Sequence, residues 1–262
     1  MYEEILEDIA HNSALRETNT AVKLATGAGA ILLCLLSPGF FAPLFVAVTL
    51  VLALVLLARV DIHTLLHVYT APALFALFSI AVIVLVSGGG ECFWRWQPLP
   101  WFALSLSRDG INQGVLVLAR FAGGTTAIAF IALTTPMTDL FAVMKRARVP
   151  DEVTDLAMII YRTIFVIMAH VVQVYRAQIM RLGYSTFRES VRSFATLCGA
   201  VFIASWEAGE DLVRAMEARC YDGKFAVLGR DRPPAPLSVA AVALFFLTTG
   251  ALAVTTADIT LI

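Results

Sequence analysis

Long apolar runs alternate with short polar segments along most of the chain. The runs cover about residues 21–36, 40–58, 69–87, 114–135 and 237–258. Each is close to the ~20 residues that a helix needs to cross the hydrocarbon of a bilayer. Residues 37–43, between the first two runs, contain prolines and a glycine but no charge, which favours a short turn. The pattern predicts about five transmembrane helices, the first two forming a hairpin.

Two amphipathic helices are predicted between the fourth and fifth runs. Apolar side chains recur at three- and four-residue steps over 151–182, where Gly183 supplies the stop, and again over about 186–219. Thr186 and Glu189 have the spacing of a capping box at the start of the second helix. Each helix would be about 45–50 Å long, which exceeds the ~30 Å hydrocarbon thickness. Both can therefore reach out of the bilayer, although 164–174 and 195–205 are apolar enough to be embedded.

The composition supports a membrane protein and orients it. Hydrophobic residues make up 59% of the 262 residues and charged residues 15%, against about 45–50% and about 25% in soluble domains. Of the 19 Lys and Arg residues, 13 fall within 137–236, so this segment is expected to be cytosolic. Alternation of the spans then places the N-terminus inside. The net charge of −1 argues against nucleic acid as a partner.

These observations predict an all-α, polytopic membrane protein in three parts. Residues 1–136 form an N-terminal membrane domain of about four transmembrane helices. Residues 137–236 form a cytosolic, partly embedded domain of two long helices, and residues 237–262 form a C-terminal transmembrane helix. The expected location is the cell membrane.

Candidate catalytic and metal-binding motifs are few. The chain contains no HExxH, GxSxG or GxxxxGK[ST] sequence, which argues against an intramembrane metalloprotease, a serine hydrolase and a P-loop ATPase. Its four cysteines form no CxxC pair. His63 and His67 would share one face of a helix, but no carboxylate or thiol motif completes a metal site. A structural or interfacial role is favoured for both histidines.

The two predicted long helices end in related sequences. Residues 177–184 read Ala-Gln-Ile-Met-Arg-Leu-Gly-Tyr, and residues 215–223 read Ala-Met-Glu-Ala-Arg-Cys-Tyr-Asp-Gly. Each therefore places one arginine, Arg181 or Arg219, at a helix C-terminus. The helix dipole favours a cation there, and a guanidinium can bridge carboxylates or carbonyls of a partner. Either end alone is ordinary capping chemistry, but their repetition favours two docking sites on a dimeric partner.

Five sequence blocks carry a resemblance to a known family over nearly the whole chain. The blocks are 134–136, 149–150, 161–166, 181–184 and 215–223. In order and spacing they resemble the transmembrane T component (EcfT) of energy-coupling factor (ECF) transporters, most closely the cobalt/nickel branch called CbiQ. Members of that family dock their two arginine tips in grooves of two ABC-type ATPase subunits. Their membrane portion holds a separate substrate-binding membrane subunit.

The resemblance implies a function, partners and a set of docking residues. The chain would be the non-catalytic coupling subunit of an importer for cobalt or nickel ions. It would have no cofactor of its own, because the ATPases bind ATP and magnesium. A small accessory membrane subunit is a further candidate partner. A T component of a vitamin-type ECF transporter and a membrane-embedded enzyme remain as alternatives. The docking residues implied are Arg181 and Arg219, with Ala177, Gly183, Tyr184, Ala215, Glu217 and Tyr221 around them.

One residue departs from the family pattern. The second tip usually reads Ala-Arg-Gly, and Cys220 occupies the glycine position here. A residue with a Cβ is costly at positive φ. A left-handed Cys220 would therefore be strained, or the helix would end differently, with Gly223 taking the terminating role.

Small and charged residues within the predicted spans mark packing faces. Gly27 and Gly29 lie in the first span, and Gly123 and Gly124 lie in the fourth. Small residues let neighbouring helices pack closely, either at a subunit interface or within this chain. Arg120, also in the fourth span, is expected to face protein or water or to reach the outer interface.

Overall fold

The computed structural model describes residues 18–86, 92–99, 102–221 and 235–256, with side chains described outside 85–107. Eight α-helices lie in these ranges: α1 (Thr20–Leu36), α2 (Phe41–Leu52), α3 (Ile62–Val86), α4 (Arg108–Thr134), α5 (Met137–Arg146), α6 (Asp151–Met180), α7 (Phe187–Ala218) and α8 (Pro236–Thr255). The predicted helical fold is confirmed. An exception is the segment between α3 and α4, where Cys92–Leu99 and Phe102–Ser107 pair as an antiparallel ribbon. Its aromatic residues are of the type that strands favour.

Four of the described helices are long and apolar enough to cross a membrane: α3, α4, α6 and α8. The prediction of about five transmembrane helices is therefore confirmed in part. Three predicted spans are present, but the first two runs form the shorter helix α1 and α2 extended by a π-helical turn at Ala53–Leu57. The helix α6, predicted as a coupling helix with an embedded part, satisfies the length and composition of a span.

The helices α3 and α4 also begin earlier than their apolar runs. They start at Ile62 and Arg108, about seven and six residues before the runs at 69 and 114. Hydropathy marks only the part of a helix that suits lipid, whereas the backbone hydrogen bonds continue into the polar interface.

Contacts between residues divide the chain into two compact units. The first contains Met1–Leu140 and Arg230–Ile262. Its central helix is α4, which packs against α1, α2 and α3, while α8 packs against α1 and α2. Small and branched side chains, among them Ala30, Val46, Leu54 and Leu133, form the buried core.

Two basic side chains connect α1 and α4 at opposite ends of α1. Lys23 is buried, and its Nζ donates to the carbonyl of Thr134 at the end of α4, 2.9 Å away. Arg120 of α4 donates to the carbonyl of Ser37, the C-cap of α1, at 2.7 Å. Each cation therefore lies at a helix C-terminus, where free carbonyls and the dipole favour positive charge. Arg120 thus faces protein, at the turn between α1 and α2.

The second unit, Phe141–Gly229, begins at an elbow between α5 and α6. The chain turns at Arg148, which has φ 61°. The Nζ of Lys145 lies 3.1 Å from the carboxylate of Asp155, whose side chain is 5% exposed. The rings of Phe141 and Tyr161 pack edge to face, 5.9 Å apart. An ion pair and an aromatic contact thus fix the approach to α6, which packs against α7.

Candidate docking tips

The first tip is the turn that follows α6. Arg181 is the C-cap, at φ −94° and ψ 13°, and Leu182 is left-handed, at φ 57°. The N–H of Leu182 donates to Ile179 at 2.9 Å, and the N–H of Gly183 donates to Gln178 at 2.9 Å. This pair of bonds is a capping motif that satisfies carbonyls left free at a helix end.

The second tip, after α7, repeats this backbone residue for residue. Arg219 is the C-cap, at φ −98° and ψ 12°, and Cys220 is left-handed, at φ 53°. The N–H of Cys220 donates to Glu217 at 3.0 Å, and the N–H of Tyr221 donates to Met216 at 3.1 Å. The two arginines therefore occupy equivalent positions in the same capping motif.

The left-handed residue in each tip corrects the assignment of Gly183 as a helix stop and bears on the strain expected at Cys220. Gly183 was expected to supply the stop of the first helix, but α6 ends at Met180 and Leu182 adopts the positive φ. Aligning the two tips on their arginines would have matched Cys220 with Leu182 and identified this position. Cys220 is left-handed, the condition under which strain was expected, while Gly223 lies outside the described residues.

Gly183 instead allows the first tip to lie close to Ser193 of α7. A Cβ built there would lie 2.6 Å from the Oγ of Ser193 on α7 and 3.1 Å from the carbonyl of Gln178. Ser193 uses the space to donate to the Gly183 carbonyl at 2.7 Å. A glycine at this position therefore lets the first tip contact α7 directly.

Both arginine side chains are exposed. Among the described residues, neither guanidinium has a hydrogen bond or an ion pair. Of the other expected docking residues, Ala177, Ala215 and Glu217 are exposed, and Tyr184 and Tyr221 are partly buried. Ten N–H donors on two planar forks are thus presented at two helix ends, an arrangement suited to carboxylates or carbonyls.

A side-chain network surrounds the first tip. The Tyr184 hydroxyl donates to the Gln178 side-chain oxygen at 2.8 Å, and the amide nitrogen of Gln178 donates to the Ser193 carbonyl at 3.0 Å. The ring of Tyr184 packs edge to face on Tyr175, with centroids 5.2 Å apart. Sequence reasoning missed Gln178 and Ser193, because their pairing depends on how α6 and α7 meet.

The start of α7 has the cap that its sequence predicted. The Thr186 hydroxyl accepts from the N–H of Glu189 at 3.3 Å, and the Glu189 carboxylate accepts hydrogen bonds from Ser185 and Thr186. These bonds, that from the Ser185 hydroxyl first, lower the pKa of Glu189 below its usual value of 4.5. The capping box therefore stabilises the helix that leads to the second tip.

The glycines predicted to mark packing faces in α1 and α4 differ in the space around them. A Cβ on Gly27 would meet Ile131 at 2.4 Å, one on Gly29 would meet Phe246 at 2.4 Å, and one on Gly123 would meet the Cys34 Sγ at 2.6 Å. These glycines lie at contacts within the first unit. A Cβ on Gly124 meets nothing within 4 Å, so that position is open.

Metal-ligating groups do not cluster in the part of the chain that the structure describes. No group of three or more His, Cys, Asp or Glu side chains lies close enough there to hold an ion. His63 and His67 are both exposed on α3.

Comparison with known proteins assigns the chain to a family. The family model described as cobalt transport protein, CbiQ, matches residues 11–227. The putative fused cobalt transport protein CbiMQ of Methanocorpusculum labreanum is 37% identical over 243 residues, which cover 93% of this chain and 41% of that protein. This chain thus spans less than half the length of that fused relative.

Two further relatives differ in how much of the chain they match. The cobalt transport protein CbiQ of Rhodobacter capsulatus is 25% identical over 88% of this chain and 90% of its own length. The energy-coupling factor transporter transmembrane protein EcfT of Limosilactobacillus fermentum is 29% identical over 58% of this chain and 59% of its own. The family match covers far more than half of the sequence. The chain therefore belongs to the CbiQ/EcfT family of transmembrane components of ECF transporters, as a multi-pass, non-catalytic transporter subunit.

Proposed function

We propose that this chain couples two ABC-type ATPase subunits to a substrate-binding membrane subunit that imports cobalt or nickel ions. The observation that carries the proposal is the pair of equivalent arginine tips. Both guanidiniums are exposed and unpaired among the described residues, and the backbone that presents them is the same in both tips. Two equivalent tips match the two grooves of a dimeric ATPase.

Coupling requires that the tips interact differently with the open and closed ATPase dimer, because equal affinity for both states shifts nothing. In this proposal ATP closes the dimer, the grooves move, and the motion passes through α6 and α7 to the membrane helices. The segment 137–236 is cytosolic or partly embedded, in accord with its share of basic residues. Its elbow, fixed by the Lys145–Asp155 pair, gives the first coupling helix a stiff approach.

The relatives favour a metal ion over a vitamin as cargo. Relatives named as cobalt transport proteins match 93%, 88% and 47% of this chain, and the EcfT relative matches 58%, so the two widest matches carry this preference. The fused relative carries, in one polypeptide, the part that this protein matches and a further part that it does not match. A substrate-binding subunit as partner of this chain agrees with that arrangement. Retention of Co²⁺ uptake by vesicles containing the assembled complex, with vitamins as competitors, would distinguish the two cargoes.

The test is a charge reversal at both tips. The tagged chain is expressed with cassette ATPase subunits and a substrate-binding membrane subunit from the same organism and purified in detergent, as wild type and as Arg181→Glu plus Arg219→Glu. Truncating a paired interfacial arginine costs about 2–5 kcal/mol, and reversal adds repulsion. We therefore expect the ATPase to be lost from the reversed complex.

The matched control is Arg176→Glu plus Arg192→Glu, which changes the net charge equally at two exposed arginines of the same unit. This control should retain the ATPase. Equal loss in both double variants would refute a specific role of the tips, as would full retention in the tip variant.

A further inference from the structure

The two tips share a backbone but differ three residues before the arginine. The first tip has Gln178 there and the second has Met216. Both residues supply the carbonyl that accepts the last bond of the capping motif. The backbone bond at this position is therefore the same in both tips, while the side chain differs.

The Gln178 side chain connects three parts of the first tip. Its oxygen accepts from the Tyr184 hydroxyl at 2.8 Å, and its nitrogen donates to the Ser193 carbonyl at 3.0 Å. Ser193 in turn donates to the Gly183 carbonyl at 2.7 Å. The turn that carries Arg181 is therefore bonded to α7 on both sides.

Met216 can form no equivalent network. A thioether is a weak acceptor and donates no hydrogen bond. Among the described residues, the bonds at Met216 beyond those within α7 are those of its backbone carbonyl, which accepts from the N–H groups of Arg219 and Tyr221.

We propose that Gln178 is a positioning residue that holds the first tip in a rigid conformation for docking. The proposal rests on the docking function given above. A turn already fixed in its bound conformation loses less conformational entropy on binding. Loss of the Gln178 side-chain bonds should therefore weaken the contribution of Arg181 to binding of the ATPase.

The test uses the chain in detergent and a cassette ATPase from the same organism, with the dissociation constant and the dissociation rate of their complex as readouts. Gln178→Met places the second tip's residue in the first and removes both side-chain bonds. We expect about five- to tenfold weaker binding, mostly as faster dissociation. Gln178→Glu, which retains the acceptor for Tyr184 but loses the donor to Ser193, should be intermediate. Gln173→Met is the control: the same change at an exposed glutamine of α6, with no expected effect.

Double variants separate positioning from general stability. If Gln178 acts through Arg181, the effect of Gln178→Met should largely disappear in an Arg181→Ala background and persist in an Arg219→Ala background. Equal effects in both backgrounds, or unchanged binding by Gln178→Met, would overturn the inference. Should neither Arg181→Ala nor Arg219→Ala weaken binding, the docking function itself fails. Weakening by both arginine variants without any effect of Gln178→Met refutes only the positioning role.

Discussion

The left-handed Cys220 offers a quantitative test of the capping geometry. Its φ is 53° and its side chain is exposed, so replacing it by glycine removes strain without opening a cavity. A left-handed conformation costs a residue with a Cβ about 1–2 kcal/mol. The greater conformational freedom of glycine in the unfolded chain offsets about 0.4–1 kcal/mol of the stabilisation gained by removing this strain. Cys220→Gly should therefore stabilise the second tip by about 0.5–1 kcal/mol.

Hydrogen exchange at the Tyr221 amide measures this change, because that N–H donates the closing bond of the motif, to Met216 at 3.1 Å. Local opening controls its exchange. After correction for intrinsic rates, Cys220→Gly should slow the exchange about two- to fivefold. Leu182→Gly should do the same at the Gly183 amide of the first tip.

The control for this prediction is Cys220→Ala, which removes the thiol but keeps the Cβ and the strain. Its exchange rate should match that of the wild type. Slowing by alanine equal to that by glycine would assign the effect to the thiol. Unchanged or faster exchange in Cys220→Gly would refute strain at this position.

Two further predictions concern packing in the first unit and capping in the second. Gly123→Ala should lower the free energy of unfolding of the purified protein by roughly 1–3 kcal/mol, because the added Cβ would lie 2.8 Å from the Pro43 carbonyl oxygen. Gly124→Ala is the control, because the added Cβ meets open space, and it should not lower the melting temperature. Equal decreases in melting temperature for both variants would contradict this packing. The capping box should weaken in acid: the lowered pKa of Glu189 means that its stabilisation is present above about 4.5 and lost as pH falls through the lower folded value. Hydrogen exchange in the first turn of α7 should show this loss in the wild type but not in Glu189→Gln, and a loss of equal size in both would refute it.

Much of the membrane fold follows from local properties of the sequence. Apolar runs predicted α3, α4 and α8, because partition of a side chain into lipid depends on that side chain and its neighbours in the helix. The capping box at Thr186 was predicted for a similar reason, since its partners are three residues apart. The repetition of Arg181 and Arg219 was also visible in the sequence.

The sequence decided less well which part of a long helix lies in the bilayer. A continuous helix such as α6 combines apolar and charged turns, so composition divided it between a cytosolic and an embedded part. The periodicity nevertheless predicted one helix over 151–182, and the structure confirms it as the 30-residue α6, because backbone hydrogen bonding continues across a change in polarity.

Only the tertiary structure decided which distant groups meet. It placed Lys23 at the end of α4, Arg120 at the end of α1 and Gln178 between Tyr184 and Ser193. It also assigned positive φ to Leu182 rather than Gly183, which is used where α7 approaches too closely for a Cβ. The sequence determined which segments form helices, because those preferences are local, but it did not give the starts of α3 and α4 or the stop of α6. The contacts between helices depend on packing between residues far apart in the chain, which no local pattern records.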